Sequence, residues 1–124
     1  SKKVKDLPMN SHKDVQPIIN PLQRFAQYDL KMQLSTALTL LYVARFQDEP
    51  DGVTTGDLTK WLGMTPAASS RNTYYWGEGT PDMPHSGYRL VDVVVDPIDR
   101  RKRLLRLTAR GEAFVRQLKE TLDG

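Results

Sequence analysis

The chain has 124 residues, of which 39% are hydrophobic and 27% are charged, and its formal net charge is +3. These proportions are typical of one globular domain with a modest core, and they exclude a wholly disordered chain. The absence of cysteine excludes disulfides, thiolate metal sites and cysteine nucleophiles, and no apolar run approaches the roughly 18–20 residues of a membrane-spanning helix, so no membrane partner is expected.

The first 16 residues are polar, carry four lysines and show no apolar period. They are predicted to form a flexible basic arm, and residues 17–124 are predicted to form a single domain. Within that domain a short helix is expected over residues 21–28, with Pro21 in its first turn, where proline is well tolerated.

The strongest helical pattern lies in residues 29–46. Its apolar residues recur at steps of three and four, which predicts one buried face made of Leu30, Leu34, Ala37, Leu38, Leu41 and Ala44. Asp29 is suited to cap the N-terminus of this helix. The helix must end before Pro50, because Pro-Asp-Gly is a turn sequence.

A shorter helix is expected over residues 55–62. Thr54 or Thr55 is suited to cap it, and its inward side is predicted to consist of Leu58, Trp61 and Leu62. Gly63 comes directly after the last apolar residue, where glycine adopts a left-handed C-terminal cap at little cost.

A further helix is expected from Pro66 to about Tyr75 or Trp76, with Thr65 as its cap and Pro66 in its first position. Two helices joined by a short turn that contains glycine form the helix-turn-helix pattern. By itself this pattern is common in small helical domains, so its interpretation depends on the elements that come after it in the chain.

The segment 77–87 contains three glycines and two prolines and is predicted to be a loop. Residues 88–95 are rich in valine and residues 101–107 return as a second strand, which predicts a β-hairpin. Thr108 is suited to cap a last helix, whose buried stripe is predicted to be Phe114, Leu118 and Leu122. The fold class is therefore α+β, a mostly helical winged helix-turn-helix with a two-stranded hairpin as its wing.

The tip of the predicted hairpin is strongly basic, because Arg100, Arg101, Lys102 and Arg103 are consecutive. A protruding hairpin with arginine at its tip is suited to bind DNA, because a narrow minor groove has a strongly negative potential. The alternative is that this charge run only solvates the surface.

The helix after Pro66 is predicted to enter a major groove, because most of its side chains are small and polar. Arg71 is suited to pair with guanine and Asn72 with adenine. Ser70 and Thr73 are suited to hydrogen-bond phosphates or bases. The alternative is an exposed helix face with no ligand.

No enzyme activity, metal site or cofactor is expected. The two histidines, His12 and His85, have no ligand spacing around them. The sequence also contains no glycine-rich phosphate-binding motif and no nucleophile elbow.

The stretch from Asp99 to Leu118 resembles the wing and last helix of the MarR family of bacterial transcriptional regulators. The matching residues are Asp99-Arg100-Arg101 at the wing tip and Leu107-Thr108-Ala109-Arg110-Gly111 at the helix start. Residues 56–76 resemble the helix-turn-helix of the same family. By this resemblance Arg101 enters the minor groove and Asp99 holds the wing tip by pairing with nearby arginine or backbone.

The resemblance implies a homodimer that binds double-stranded DNA in the cytoplasm of a bacterial or phage-infected cell, and it leaves room for a small-molecule or protein effector. The predicted DNA-binding residues are Thr65, Ser69, Ser70, Arg71, Asn72, Thr73, Asp99, Arg100, Arg101, Lys102 and Arg103. Two alternatives stay open. One is a winged-helix protein-interaction module that uses the aromatic loop between Tyr74 and Tyr88, and the other is a phage or plasmid replication or maintenance factor that binds DNA.

Overall fold

The computed structural model describes residues 11–123. The arm predicted for residues 1–16 therefore lies mostly outside the described residues. Backbone contacts divide the chain into a terminal unit, made of Ser1–Met32 and Arg116–Gly124, and a central unit, made of Gln33–Val115.

The terminal unit contains a short 3₁₀ helix, Lys13–Val15, and helix α1, Gln16–Tyr28. Helix α1 starts five residues earlier than residue 21, where the sequence pattern placed its start. Pro17 occupies its first turn, where a backbone N–H is not needed, and Pro21 lies inside the helix. Phe25 is the buried residue of α1.

In the central unit, helix α2 spans Leu34–Phe46, so the predicted start at residue 29 is wrong. The Asp29 carboxylate accepts from the backbone N–H of Lys31 at 3.0 Å, which closes a turn instead of capping α2. The buried face of α2 also differs from the predicted one, since it consists of Thr36, Ala37, Thr39, Leu40 and Val43. Of the predicted stripe, Leu30 and Leu34 are 82% and 67% exposed.

Helices α3, Thr55–Leu62, and α4, Pro66–Trp76, form the helix-turn-helix with the predicted bounds. The Thr54 hydroxyl accepts from the N–H of Asp57 at 3.1 Å, and the Asp57 carboxylate accepts from the N–H of Thr54 at 2.9 Å. This capping box fixes the start of α3. Gly63 ends the helix with a φ of +64°, in the left-handed region that the sequence predicts for it.

The predicted loop after α4 contains a small hairpin of two short strands, β1 (Gly79–Thr80) and β2 (Met83–Pro84). The predicted wing comes next as β3 (Val91–Val95) paired antiparallel with β4 (Arg103–Leu107), in a register that places Val91 opposite Leu107. The winged helix-turn-helix fold class is thus confirmed.

Helix α5 spans Ala109–Asp123, and the Thr108 hydroxyl accepts from the N–H of Gly111 at 3.0 Å, as expected of its cap. Phe114 and Leu118 are buried as predicted, whereas Leu122 is exposed. The core of the central unit is built from fully or nearly fully buried apolar residues, namely Leu40, Val43, Val53, Leu58, Trp76, Leu90 and Leu105.

Candidate nucleic-acid interface

One face of α4 is open to solvent and carries small, polar or cationic side chains. Pro66, Ala67, Arg71 and Tyr74 are exposed and Ser70 is half-buried. These positions recur at steps of three and four, so they share one side of the helix. The Thr65 hydroxyl accepts from the N–H of Ala68 at 3.1 Å and caps the N-terminus of α4. We refer to α4 as the recognition helix.

The opposite face of the recognition helix is fixed to α2 by buried polar contacts. The Asn72 amide oxygen accepts from the Thr36 hydroxyl at 2.6 Å. Its amide nitrogen donates to the Thr39 hydroxyl and to the Met64 sulfur, both at 3.3 Å. A buried polar network with satisfied partners holds a helix in one orientation, so these contacts set how the recognition helix is presented.

Ser69, Asn72 and Thr73 are 0%, 6% and 7% exposed, so the expectation that these three side chains lie on the open face of the helix is wrong. The Ser69 hydroxyl lies 2.7 Å from that of Thr59, and the Thr73 hydroxyl donates to the Ser69 carbonyl at 2.9 Å. Their hydrogen-bonding capacity is used inside the central unit. The sequence suggested exposure because polar residues are usually outside, and it contained no signal for the buried partners of these side chains.

At the wing tip, the Asp99 carboxylate makes the contact with arginine and backbone that the resemblance implies. Its Oδ1 accepts from the backbone N–H of Arg101 at 3.1 Å and from the Arg101 Nε at 3.3 Å. Asp99 therefore shapes the tip, and its carboxylate is occupied there. Apart from this contact of its Nε, the Arg101 side chain is open to solvent, with an exposed fraction of 93%.

The other three cations of the wing are arranged differently from one another. Arg100 is exposed, and its carbonyl accepts from the Arg103 Nη1 at 3.0 Å. The Lys102 ammonium donates to the carbonyl of Asp51 at 3.1 Å, in the loop between α2 and α3. The structure thus brings three arginines together around the tip and turns Lys102 toward the helices.

The base of the wing is tied to the helices by Gln47, a residue that the sequence pattern did not single out. Its buried side chain donates to Glu112 at 2.9 Å and accepts from the N–H of Leu107 at 2.8 Å. Arg106 donates to the Gln47 carbonyl and to the Asp48 carboxylate, both at 2.9 Å. These contacts fix the direction in which the wing projects from the central unit.

The aromatic residues at the end of the recognition helix pack mainly against each other. The rings of Tyr75 and Trp76 lie 5.0 Å apart, and those of Tyr75 and Tyr88 lie 5.2 Å apart, in edge-to-face arrangements. Trp76 is fully buried. The aromatic surface that a protein-interaction module needs is therefore largely enclosed, and only Tyr74 of this group is exposed, on the face of Arg71.

Membrane-spanning and metal-binding features do not occur in the part of the chain that the structure describes. Across residues 11–123, none of the helices combines the length and the apolar character that crossing a bilayer requires. In the same range, no three His, Cys, Asp or Glu side chains come close enough to hold a metal ion.

A helix-turn-helix followed by an arginine-tipped hairpin and a further helix defines the winged-helix class. Solved structures of MarR-type regulators share this arrangement, and the chain has their fold, which confirms the resemblance seen in the sequence. No protein-family model matches the chain, and no curated protein matches it.

Three of these structures illustrate the likeness. A mutant of MepR from Staphylococcus aureus, bound to an oligodeoxyribonucleotide, has a TM-score of 0.66 and 22% identity over 86% of this chain and 68% of its own. A complex of MepR with DNA has a TM-score of 0.64 and 25% identity over 93% and 80%. The transcriptional regulator Tm0710 from Thermotoga maritima has a TM-score of 0.60 and 17% identity over 86% and 65%.

Proposed function

We propose that this chain is a transcriptional regulator that binds double-stranded DNA as a homodimer, acts in the cytoplasm of a bacterial or phage-infected cell, and is not an enzyme. The observation that carries the proposal is the pairing of an exposed recognition-helix face with a wing whose arginines project into solvent. The likeness to MepR, whose structures include DNA complexes, supports it.

The recognition helix is assigned to the major groove through its exposed face. Arg71 is exposed and suited to pair with guanine O6 and N7. Thr65 and Ser70 are suited to donate to phosphate or base atoms, since Thr65 is exposed and Ser70 is half-buried on the open face. Pro66 and Ala67 are small enough to let the backbone approach the bases closely.

The wing is assigned to the minor groove through Arg100, Arg101 and Arg103. A narrow minor groove concentrates negative potential and attracts arginine. The Lys102 ammonium contacts the Asp51 carbonyl, so Lys102 adds to the attraction at longer range. Asp99 acts by shaping the tip and does not contact DNA in this proposal.

Binding to a random-sequence duplex of about 30 base pairs tests the proposal by fluorescence anisotropy. If a dimer neutralises roughly 6–10 phosphates, the affinity falls by about 10³- to 10⁵-fold between 50 and 200 mM salt. Arg101→Ala is expected to weaken binding at least about tenfold and to reduce the salt slope by about 1 per subunit, which is about 2 for the dimer. The turn survives this change, because Asp99 still accepts from the backbone N–H at position 101.

Arg110→Ala is the matched control, since it removes an exposed arginine outside the wing. It is expected to leave the affinity within about twofold of wild type. A wild-type protein that does not bind the duplex at low salt contradicts the proposed function. Equal losses for the two variants contradict the assignment of the wing.

The homodimer is supported by an exposed apolar stripe on the terminal unit. Val15, Ile18, Ile19 and Leu22 are all exposed, and Ile18 is 61% exposed. Their spacing of three and four residues places them on one side of the helical segment. An exposed stripe of this kind favours a partner with the same chemistry, and a second copy of the chain supplies it in a twofold arrangement.

Ile19→Glu is expected to raise the dissociation constant of the dimer at least about tenfold, because burying a charge at an apolar contact is costly. Sedimentation velocity over a dilution series measures the change. Gln27→Glu, which adds the same charge at an exposed polar position of α1 away from the stripe, is the control and is expected to leave the dimer intact. A dimer equally stable in both variants places the interface elsewhere.

A further inference from the structure

The most exposed large apolar side chain of residues 11–123 stands at the tip of the wing. Ile98 is 95% exposed, more than Leu30 at 82%. It comes directly after Pro97, which is also exposed. The tip therefore presents a short apolar projection immediately before the arginines at positions 100 and 101.

The turn itself keeps Ile98 in this position. The N–H of Ile98 donates to the Asp96 carboxylate at 2.8 Å, and the N–H of Asp96 donates to the Lys102 carbonyl at 3.0 Å. The N–H of Lys102 donates to the Asp99 carbonyl at 2.9 Å. The turn is closed by these polar contacts, and the fixed φ of Pro97 adds to its stiffness. Ile98 is thus held outward by a defined turn.

We propose that Ile98 is an apolar contact of the wing with the minor groove, where it packs against deoxyribose faces and base edges between the two phosphate walls. This inference rests on the proposed function and names a contact that the arginines do not supply. The arginines at the tip give the affinity for phosphates, whereas Ile98 gains only by leaving water.

The size and charge of the tip favour duplex DNA as the occupant. A minor groove about 6 Å wide is too narrow for a two-stranded hairpin, but it admits one side chain that projects from the tip. Proteins that bind this groove insert apolar side chains of the same kind. A membrane surface instead requires a broad apolar face beside the cations. The turn offers Ile98 and Pro97, and the exposed Val95 of β3 lies opposite Arg103 on β4, so the test below includes binding to vesicles as an outcome.

The test compares Ile98→Ala with Arg101→Ala in the full-length chain, on a duplex that contains an A-tract, at three salt concentrations. Ile98→Ala is expected to weaken binding about tenfold at every salt concentration with an unchanged slope, because an apolar contact releases no counterions. Arg101→Ala is expected to reduce the slope. Leu34→Ala, which truncates an exposed leucine on α2, is the control and is expected to bind like wild type. Circular dichroism is expected to show equal melting temperatures for Ile98→Ala and wild type, since Ile98 is almost fully exposed.

Three results overturn the inference and leave the proposed function in place. The first is wild-type affinity in Ile98→Ala, and the second is a change of its salt slope like that of Arg101→Ala. The third is binding of the wild type to phosphatidylglycerol vesicles that is lost in Ile98→Ala, which assigns the tip to a membrane. If the wild-type protein does not bind the duplex, both the proposed function and the inference are contradicted. A wild type that binds, with Ile98→Ala equal to it, removes the inference alone.

Discussion

Trp76→Ala is expected to lower the free energy of unfolding by about 3–5 kcal/mol. Trp76 is fully buried at the end of the recognition helix, where its ring lies 5.0 Å from that of Tyr75 and 6.0 Å from that of Tyr88. Its indole N–H also donates to the carbonyl of Thr36 on α2 at 2.6 Å. The substitution removes both the apolar packing and this hydrogen bond, and it leaves a cavity between the recognition helix and α2.

Trp76→Phe separates the two contributions. Phenylalanine keeps an aromatic ring in the core but leaves the buried Thr36 carbonyl without this donor, which costs about 1–3 kcal/mol. Urea denaturation followed by circular dichroism measures both variants, with Tyr74→Ala as a control at an exposed aromatic position. A loss below about 1 kcal/mol for Trp76→Ala is incompatible with the packing described above.

The helix-turn-helix could be predicted from the sequence because its signals are local. Each signal fixes a helix end through residues within one helical turn of it. These signals are the capping box of Thr54 and Asp57, the left-handed Gly63, and the cap at Thr65 with Pro66 after it. The bounds of α3 and α4 result from such contacts alone. The hairpin of the wing was predictable for the same reason, since its valines and its turn residues are adjacent in the chain.

The buried face of α2 could not be predicted in this way, because it depends on residues far along the chain. Leucines at steps of three and four suggest a core, yet Leu34 lies on the outer side. Thr36 and Thr39 are buried because Asn72, 36 and 33 residues away, supplies their hydrogen-bond partner. A hydrophobicity pattern assigns threonine no such partner, so it predicts the wrong side.

The same non-local pairing explains the error in the candidate site. The residues from Ser69 to Thr73 form a polar run, and polarity alone does not separate the side that faces solvent from the side that faces α2. Arg71 was placed correctly on the open face, whereas its neighbour Asn72 was not. The contact of Asp99 at the wing tip was predicted from the resemblance to a family. The exposure of Ile98 could be established only from the structure, because the sequence does not show how the turn is closed.

Asn72→Ala is expected to lower the free energy of unfolding by about 2–3 kcal/mol, because it leaves the buried Thr36 hydroxyl without its acceptor and removes a donor to Thr39. The affinity of the folded protein for duplex DNA is expected to stay within about twofold of wild type, since Asn72 faces the interior. Urea denaturation and anisotropy titration, run on the same preparation, measure the two quantities.

Arg71→Ala is the matched control, since it lies one residue away on the exposed side of the same helix and predicts the reverse pattern. Its stability is expected to change by no more than about 0.5 kcal/mol, while its affinity falls about tenfold through the loss of a base or phosphate contact. The opposite effects of the two variants on stability and affinity distinguish a residue that anchors the recognition helix from one that contacts DNA. If Asn72→Ala has wild-type stability and reduced affinity, the assignment of Asn72 to the interior is contradicted and Asn72 contacts DNA in the major groove. That result also requires the recognition helix to rotate away from α2 when it binds.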